Sequence, residues 1–166
     1  MSDQTIVRPA ALVRWRISSE ARRALLTVHI VASVGLLGEC AALLAVSLRA
    51  AGASDPEVAM SSYELMSMFS LVFGIPLSFA ALLSGIALGF TTKWGVVRHR
   101  WVAAKLALIV SVILVGALVI GPAEAAMVDG DGGRELVLTL GAAYDVLALG
   151  LATGLSVFKP RGRLKR

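Results

Sequence analysis

The sequence predicts an all-α membrane protein, a polytopic four-helix bundle with both termini in the cytoplasm. Three observations predict it. The 166-residue chain is 57% hydrophobic and only 16% charged, whereas a soluble domain has about a quarter of its residues charged. The surplus apolar surface calls for lipid as its solvent. Four apolar stretches, 24–48, 65–90, 101–121 and 136–158, reach the roughly 20 residues that a helix needs to cross a bilayer core. Fourteen of the sixteen Lys and Arg residues fall on one side of those spans. Period-two alternation is absent, so the spans read as helices, which satisfy their own backbone in lipid.

The first span follows a basic segment, 1–23, carrying Arg8, Arg14, Arg16, Arg22 and Arg23. Its apolar run is too long for a cleavable leader and no small-residue cleavage site follows it, so it reads as a true span. Within that segment, residues 9–23 read as a short interfacial helix with Leu12, Val13, Trp15 and Ile17 on it. "SDPE" at 54–57 is a helix start: Ser54 and Glu57 have capping-box spacing, and proline suits a first turn. The second helix therefore begins outside the lipid. Pro76 is expected to kink it. Gly121 and Pro122 end or bend the third span, and "DGDGG" at 129–133 is a flexible turn before the fourth. That turn is too short for a calcium hand and lacks its later glutamate.

Lys93, Arg98 and Arg100 lie between spans two and three, with Lys105 just inside span three. A basic tail, 159–166, holds Lys159, Arg161, Arg163, Lys165 and Arg166. Only Arg49 and Arg134 lie opposite, among most of the loop carboxylates: Asp55, Glu57, Glu64, Glu124, Asp129, Asp131 and Glu135. The positive-inside rule puts both termini in the cytoplasm. The partners expected are the bilayer and its anionic lipids at the cytoplasmic face, not nucleic acid. A second copy or another membrane protein stays open.

Small residues let membrane helices approach closely. They form stripes in span two (Gly74, Ser78, Ala81, Gly85, Gly89), span three (Ala104, Ala107, Ser111) and span four (Gly141, Asp145, Ala148, Ala152, with Gly150 and Gly154 apart). Inside these apolar runs the polar residues fall into two layers. At 1.5 Å per residue, His29 and Lys105 share one level, near Ser84 and Thr153. Glu39 and Asp145 share another, near Ser111 and the 74–76 bend.

An ionisable group in a span costs about 2.5–3.5 kcal/mol on insertion scales, so each needs a partner. Lys105 can snorkel to headgroups, His29 can stay neutral and bond a neighbouring helix, and Cys40 is a small packing residue. Glu39 and Asp145 are expected to meet across spans one and four and to titrate as a unit, since two carboxylates do not comfortably both stay charged at low dielectric. Bonds to Ser111 or Tyr144 are the structural alternative. Met60, Met66, Met68 and Met127 gather towards one side, and thioethers can hold Cu(I). No histidine–methionine cluster lies within a span, however, and no metal site is expected.

"VHIVASVGLLG" in span one and "TKWGVVRHRWVAAKLALIV" into span three resemble an uncharacterised actinobacterial family of four-span integral membrane proteins, over roughly residues 25–120. The likeness rests on the early histidine, the "WG" pair and the spacing of Trp101 and Lys105. A more distant resemblance is to CopD-like and HemJ-like haem-binding membrane proteins, which have a first-span histidine and a lysine early in a later span. The fourth span of this chain holds no histidine.

Three functions are consistent with these features. The first is a non-catalytic membrane subunit or scaffold. The second, implied by the resemblance, is a b-type haem or porphyrin-handling redox protein, with His29 as axial ligand and Lys105, Arg98 and Arg100 on the propionates. The third is a proton- or cation-coupled carrier using Glu39 and Asp145. No nucleophile triad, phosphate loop or dinucleotide fingerprint is present; whether the chain is an enzyme, and which residues would be catalytic, stays open.

The charge asymmetry predicts that cysteines introduced at Ser2 and Arg166 react with an impermeant thiol reagent only after cells are permeabilised. Labelling of either from outside intact cells reverses the orientation.

Overall fold

The computed structural model describes residues 18–91 and 100–158. Among these, every regular element is helical: α1 (Ser19–Ala51), α2 (Pro56–Phe69), α3 (Ile75–Thr91), α4 (Arg100–Val115), α5 (Gly121–Val128) and α6 (Glu135–Phe158). A π turn, Ser70–Gly74, joins α2 to α3 without a break, and a second, Gly116–Ile120, joins α4 to α5. Four continuous rods result: Ser19–Ala51, Pro56–Thr91, Arg100–Val128 and Glu135–Phe158. The shortest has 24 residues, about 36 Å long.

The helix ends follow local chemistry. Ser18 caps α1 by accepting the Ala21 N–H, so the helix starts before the apolar run does. Residues 19–23, expected in a separate interfacial helix, are the first turn of α1; residues 9–17 lie outside the described residues. At α2 the cap is Asp55, which accepts the Glu57 N–H at 2.9 Å. Pro56 occupies the first helical position, so the Ser54–Glu57 capping box is corrected to an Asp55 cap. Gly130 and Gly133 have φ of 83° and 88°, which lets the 129–134 connection reverse tightly before α6.

Both π turns have a physical cause. A proline ring clashes with the carbonyl four residues back. For Pro76 that residue is Val72, and for Pro122 it is Leu118; each lies inside a π turn. Widening the turn to i→i+5 bonding, Ile75 N–H to Ser70 O and Gly121 N–H to Gly116 O, moves that carbonyl aside. Gly121 and Pro122 therefore do not end the third rod. It continues through α5, and Glu124, expected in a loop, is only 3% exposed.

The rods pack in cyclic order: α1 lies against α2 and α3 on one side and α6 on the other, α4 against α6, and α2 against α5. One apolar cluster sits at the end bearing the 52–55 and 129–134 connections, the loop end. It contains Leu43, Tyr63, Met66, Ile120, Ala123 and Leu138. A second holds Leu36, Cys40, Val112, Ala148 and Leu149. Outward faces stay apolar: Leu71, Leu118 and Leu147 are 67%, 70% and 73% exposed, as a lipid-solvated surface requires.

The small-residue stripes divide. On α3, Ser78, Ala81 and Ser84 are buried, and Gly85 lies against His29 of α1. On α6, Gly141, Asp145 and Ala148 are buried. On α4 the expectation fails: Ala104 and Ala107 face outward and Val112 is the buried residue.

A Cβ on Gly141 would lie 2.8 Å from Ile120 Cγ1, whereas one on Gly150 meets nothing within 4 Å. Gly141→Ala is expected to destabilise the bundle by about 1–3 kcal/mol through overpacking. Gly150→Ala should be neutral or slightly stabilising. Reversible unfolding in mixed detergent micelles measures both.

Candidate functional site

The first polar layer is built around His29. Its Nδ1 lies 3.1 Å from the Ala81 carbonyl and 3.0 Å from Ser84 Oγ. A carbonyl only accepts, so Nδ1–H is the donor to it and Nε2 keeps its lone pair. Ser84 in turn donates to the Ala80 and Ala81 carbonyls, which leaves its oxygen free to accept. The imidazole is seated on Gly85, where a Cβ would lie 3.0 Å from Cε1. Lys105 is within electrostatic reach of this ring. Its ammonium donates to Ser156 Oγ at 3.0 Å and lies 5.1 Å from the Trp101 ring centroid. Thr153 is exposed and bonds the Leu149 carbonyl.

His29 is packed against α3, Lys105 is turned to Ser156 and Trp101, and Arg100 is exposed at the start of α4. Arg98 lies outside the described residues, as does the "WG" pair.

The second layer holds carboxyls. Glu39 on α1 and Asp145 on α6 are 8% and 5% exposed, and each rod places its carboxyl between the two apolar clusters. They lie within electrostatic reach of each other and of Cys40. Cys40 Sγ donates to Glu39 Oε2 at 3.5 Å. Glu39 Oε1 rests against the first π turn, where a Cβ on Gly74 would lie 3.0 Å away. Neither Ser111 nor Tyr144 serves the carboxyls: Tyr144 donates to Ser111 Oγ at 2.7 Å, and Ser111 donates to the Leu108 carbonyl. Glu39 Oε1 and Asp145 Oδ1 are buried without a hydrogen-bond partner, as is Thr139 Oγ1.

A third carboxyl adjoins this pair. Glu124 on α5 accepts from Ser70 Oγ at 2.9 Å and is within electrostatic reach of Glu39. The glycine–proline pair hides it from a reading by spans. The available signal is that 123–128, "AEAAMV", contains no breaker before Asp129 and Gly130.

A family model described as "Predicted integral membrane protein (DUF2269)" matches residues 23–130. The chain belongs to this family. The matched stretch contains His29, Glu39, Lys105 and Glu124, and stops short of α6 with Asp145. The family description and the four apolar rods together make this an integral, multi-pass membrane protein. Comparison with curated proteins and with solved structures gave no match.

The His29–Ser84 contact is expected to contribute about 0.5–1.5 kcal/mol. A double-mutant cycle with His29→Ala and Ser84→Ala, read by thermal unfolding in detergent, measures it. Additive losses place the histidine elsewhere.

Proposed function

We propose that this protein is a proton-coupled carrier of the cell membrane, in which Glu39 and Asp145 together hold and release one proton. The single observation that carries the reading is the Glu39–Asp145 pair itself. Two carboxyls on facing rods are more than nine-tenths buried, within electrostatic reach of each other, and each has an oxygen without a partner. Ionisable groups facing the interior of a membrane bundle mark proton and ion paths. A scaffold needs only apolar packing at this level, and two carboxyls add cost without adding contact.

One proton suits the pair better than two charges or none. With both charged, repulsion at low dielectric is unrelieved. With one proton shared, only one of the two carboxyls is charged and that repulsion is gone. A carrier uses that difference, since the bundle packs with the proton and loosens without it. The positive-inside pattern puts the termini and the His29–Lys105 layer on the cytoplasmic side. The loop end then faces outward.

The test is infrared spectroscopy of the reconstituted protein through a pH titration. A carbonyl stretch from a protonated carboxyl should fade as pH rises, and Glu39→Gln and Asp145→Asn should each remove or shift the same component. A spectrum that neither substitution alters overturns the reading. Visible absorption separates the haem alternative: a Soret band lost in His29→Ala would establish it.

A further inference from the structure

A proton must still reach a pair enclosed between two apolar clusters, and the route inferred for it rests on the carrier reading. Glu124 lies beside that route. It is 3% exposed and four residues from the loop-end terminus of α5, a rise of about 6 Å. The rod of Glu39 packs on that of Asp145, and the π turn that seats Glu39 also bonds Glu124 through Ser70. The three carboxyls therefore form a series with Glu39 in the middle. Among the described residues no three His, Cys, Asp or Glu side chains converge to hold a metal ion, so the arrangement is a series and not a cage.

The first π turn bridges the two nearer members. At one end Ser70 Oγ donates to Glu124 Oε1 at 2.9 Å. At the other, Gly74 seats Glu39 Oε1, which has no hydrogen-bond partner on a side chain more than nine-tenths buried. An unpartnered acceptor aimed at the turn that holds Glu124 calls for a proton donor from that side.

We propose that Glu124 is the exchange residue of the loop side, taking protons from water at that end and delivering them to Glu39. In the transfer one O–H bond breaks at Glu124 and one forms at Glu39. A water molecule between them accepts from the first as it donates to the second. Glu124 is left as a carboxylate and takes the next proton from loop-end water. Ser70 occupies Oε1, so the labile proton rides on the other oxygen. Other titratable groups on the packed elements are engaged elsewhere or face outward: Arg49 donates to Ser62 Oγ, and Glu64 is exposed. Cys40 is bonded to Glu39 Oε2, Tyr63 faces Glu135 at the head of α6, Tyr144 is bonded to Ser111, and His29 and Lys105 belong to the other layer.

The test is a pH jump on the reconstituted full chain, with the carbonyl band of the Glu39–Asp145 pair followed in time. Glu124→Gln should keep the amplitude of that band and slow its relaxation about a hundredfold, the low end for loss of a positioned proton-transfer group. Ser70→Ala should slow it less, and Glu124→Asp should restore part of the rate. An unchanged rate in Glu124→Gln overturns the proposal while the carrier reading stands. A wild-type spectrum without a band from the pair overturns both. If Glu124→Gln does not fold, Ser70→Ala decides alone: slower relaxation supports the relay, and an unchanged rate overturns it.

Discussion

A carboxyl in hydrocarbon has no water to fall back on, and this constraint organises the bundle. Each acidic side chain in a span must be faced inward, given neighbours, and kept from being charged beside another charge. Glu39 and Asp145 meet the first condition because their rods pack directly on one another. Gly74 makes space for Glu39 where any larger residue would press on Oε1. The apolar clusters on either side then close around a polar layer that apolar packing alone would have no reason to leave.

Much of this was legible in the sequence. The four spans were, because lipid imposes length and apolar composition together and few soluble folds imitate both. The shared depth of Glu39 and Asp145 was, because rise per residue is constant along a helix. His29 with Ser84 was legible by the same counting, and the structure adds a hydrogen bond of 3.0 Å. The third rod was not. Gly121-Pro122 has the composition of a stop, and only the accommodation of Pro122 by a widened turn allows the helix to resume. Glu124 was misplaced as a direct consequence. The outward turn of Ala104 and Ala107 shows the limit of small-residue stripes. They permit close approach without saying which neighbour arrives, and Val112 packs where alanine was expected.

The two polar layers differ in kind. In the histidine layer, His29 Nδ1, Ser84 Oγ and the Lys105 ammonium each meet a hydroxyl, a carbonyl or a ring. The carboxyl layer retains orphan acceptors, and buried orphans are rare enough in native proteins that each calls for an occupant or a purpose. That contrast is why the proposed chemistry centres on the acids and leaves His29 a helix-joining role.

The π turns also act as phase shifters. Each inserts one residue beyond the α-helical repeat, so the helix surface on its loop side is turned by about 100° relative to an uninterrupted rod. The face that α3 presents to α1 is therefore not the face that α2 presents, and the face of α4 does not continue into α5. Deleting a single residue from 116–120 would restore the Pro122 clash and swing Glu124 out of the interior towards the acyl chains. The inward aim of that carboxylate is thus written in the length of the segment preceding it as much as in the glutamate itself.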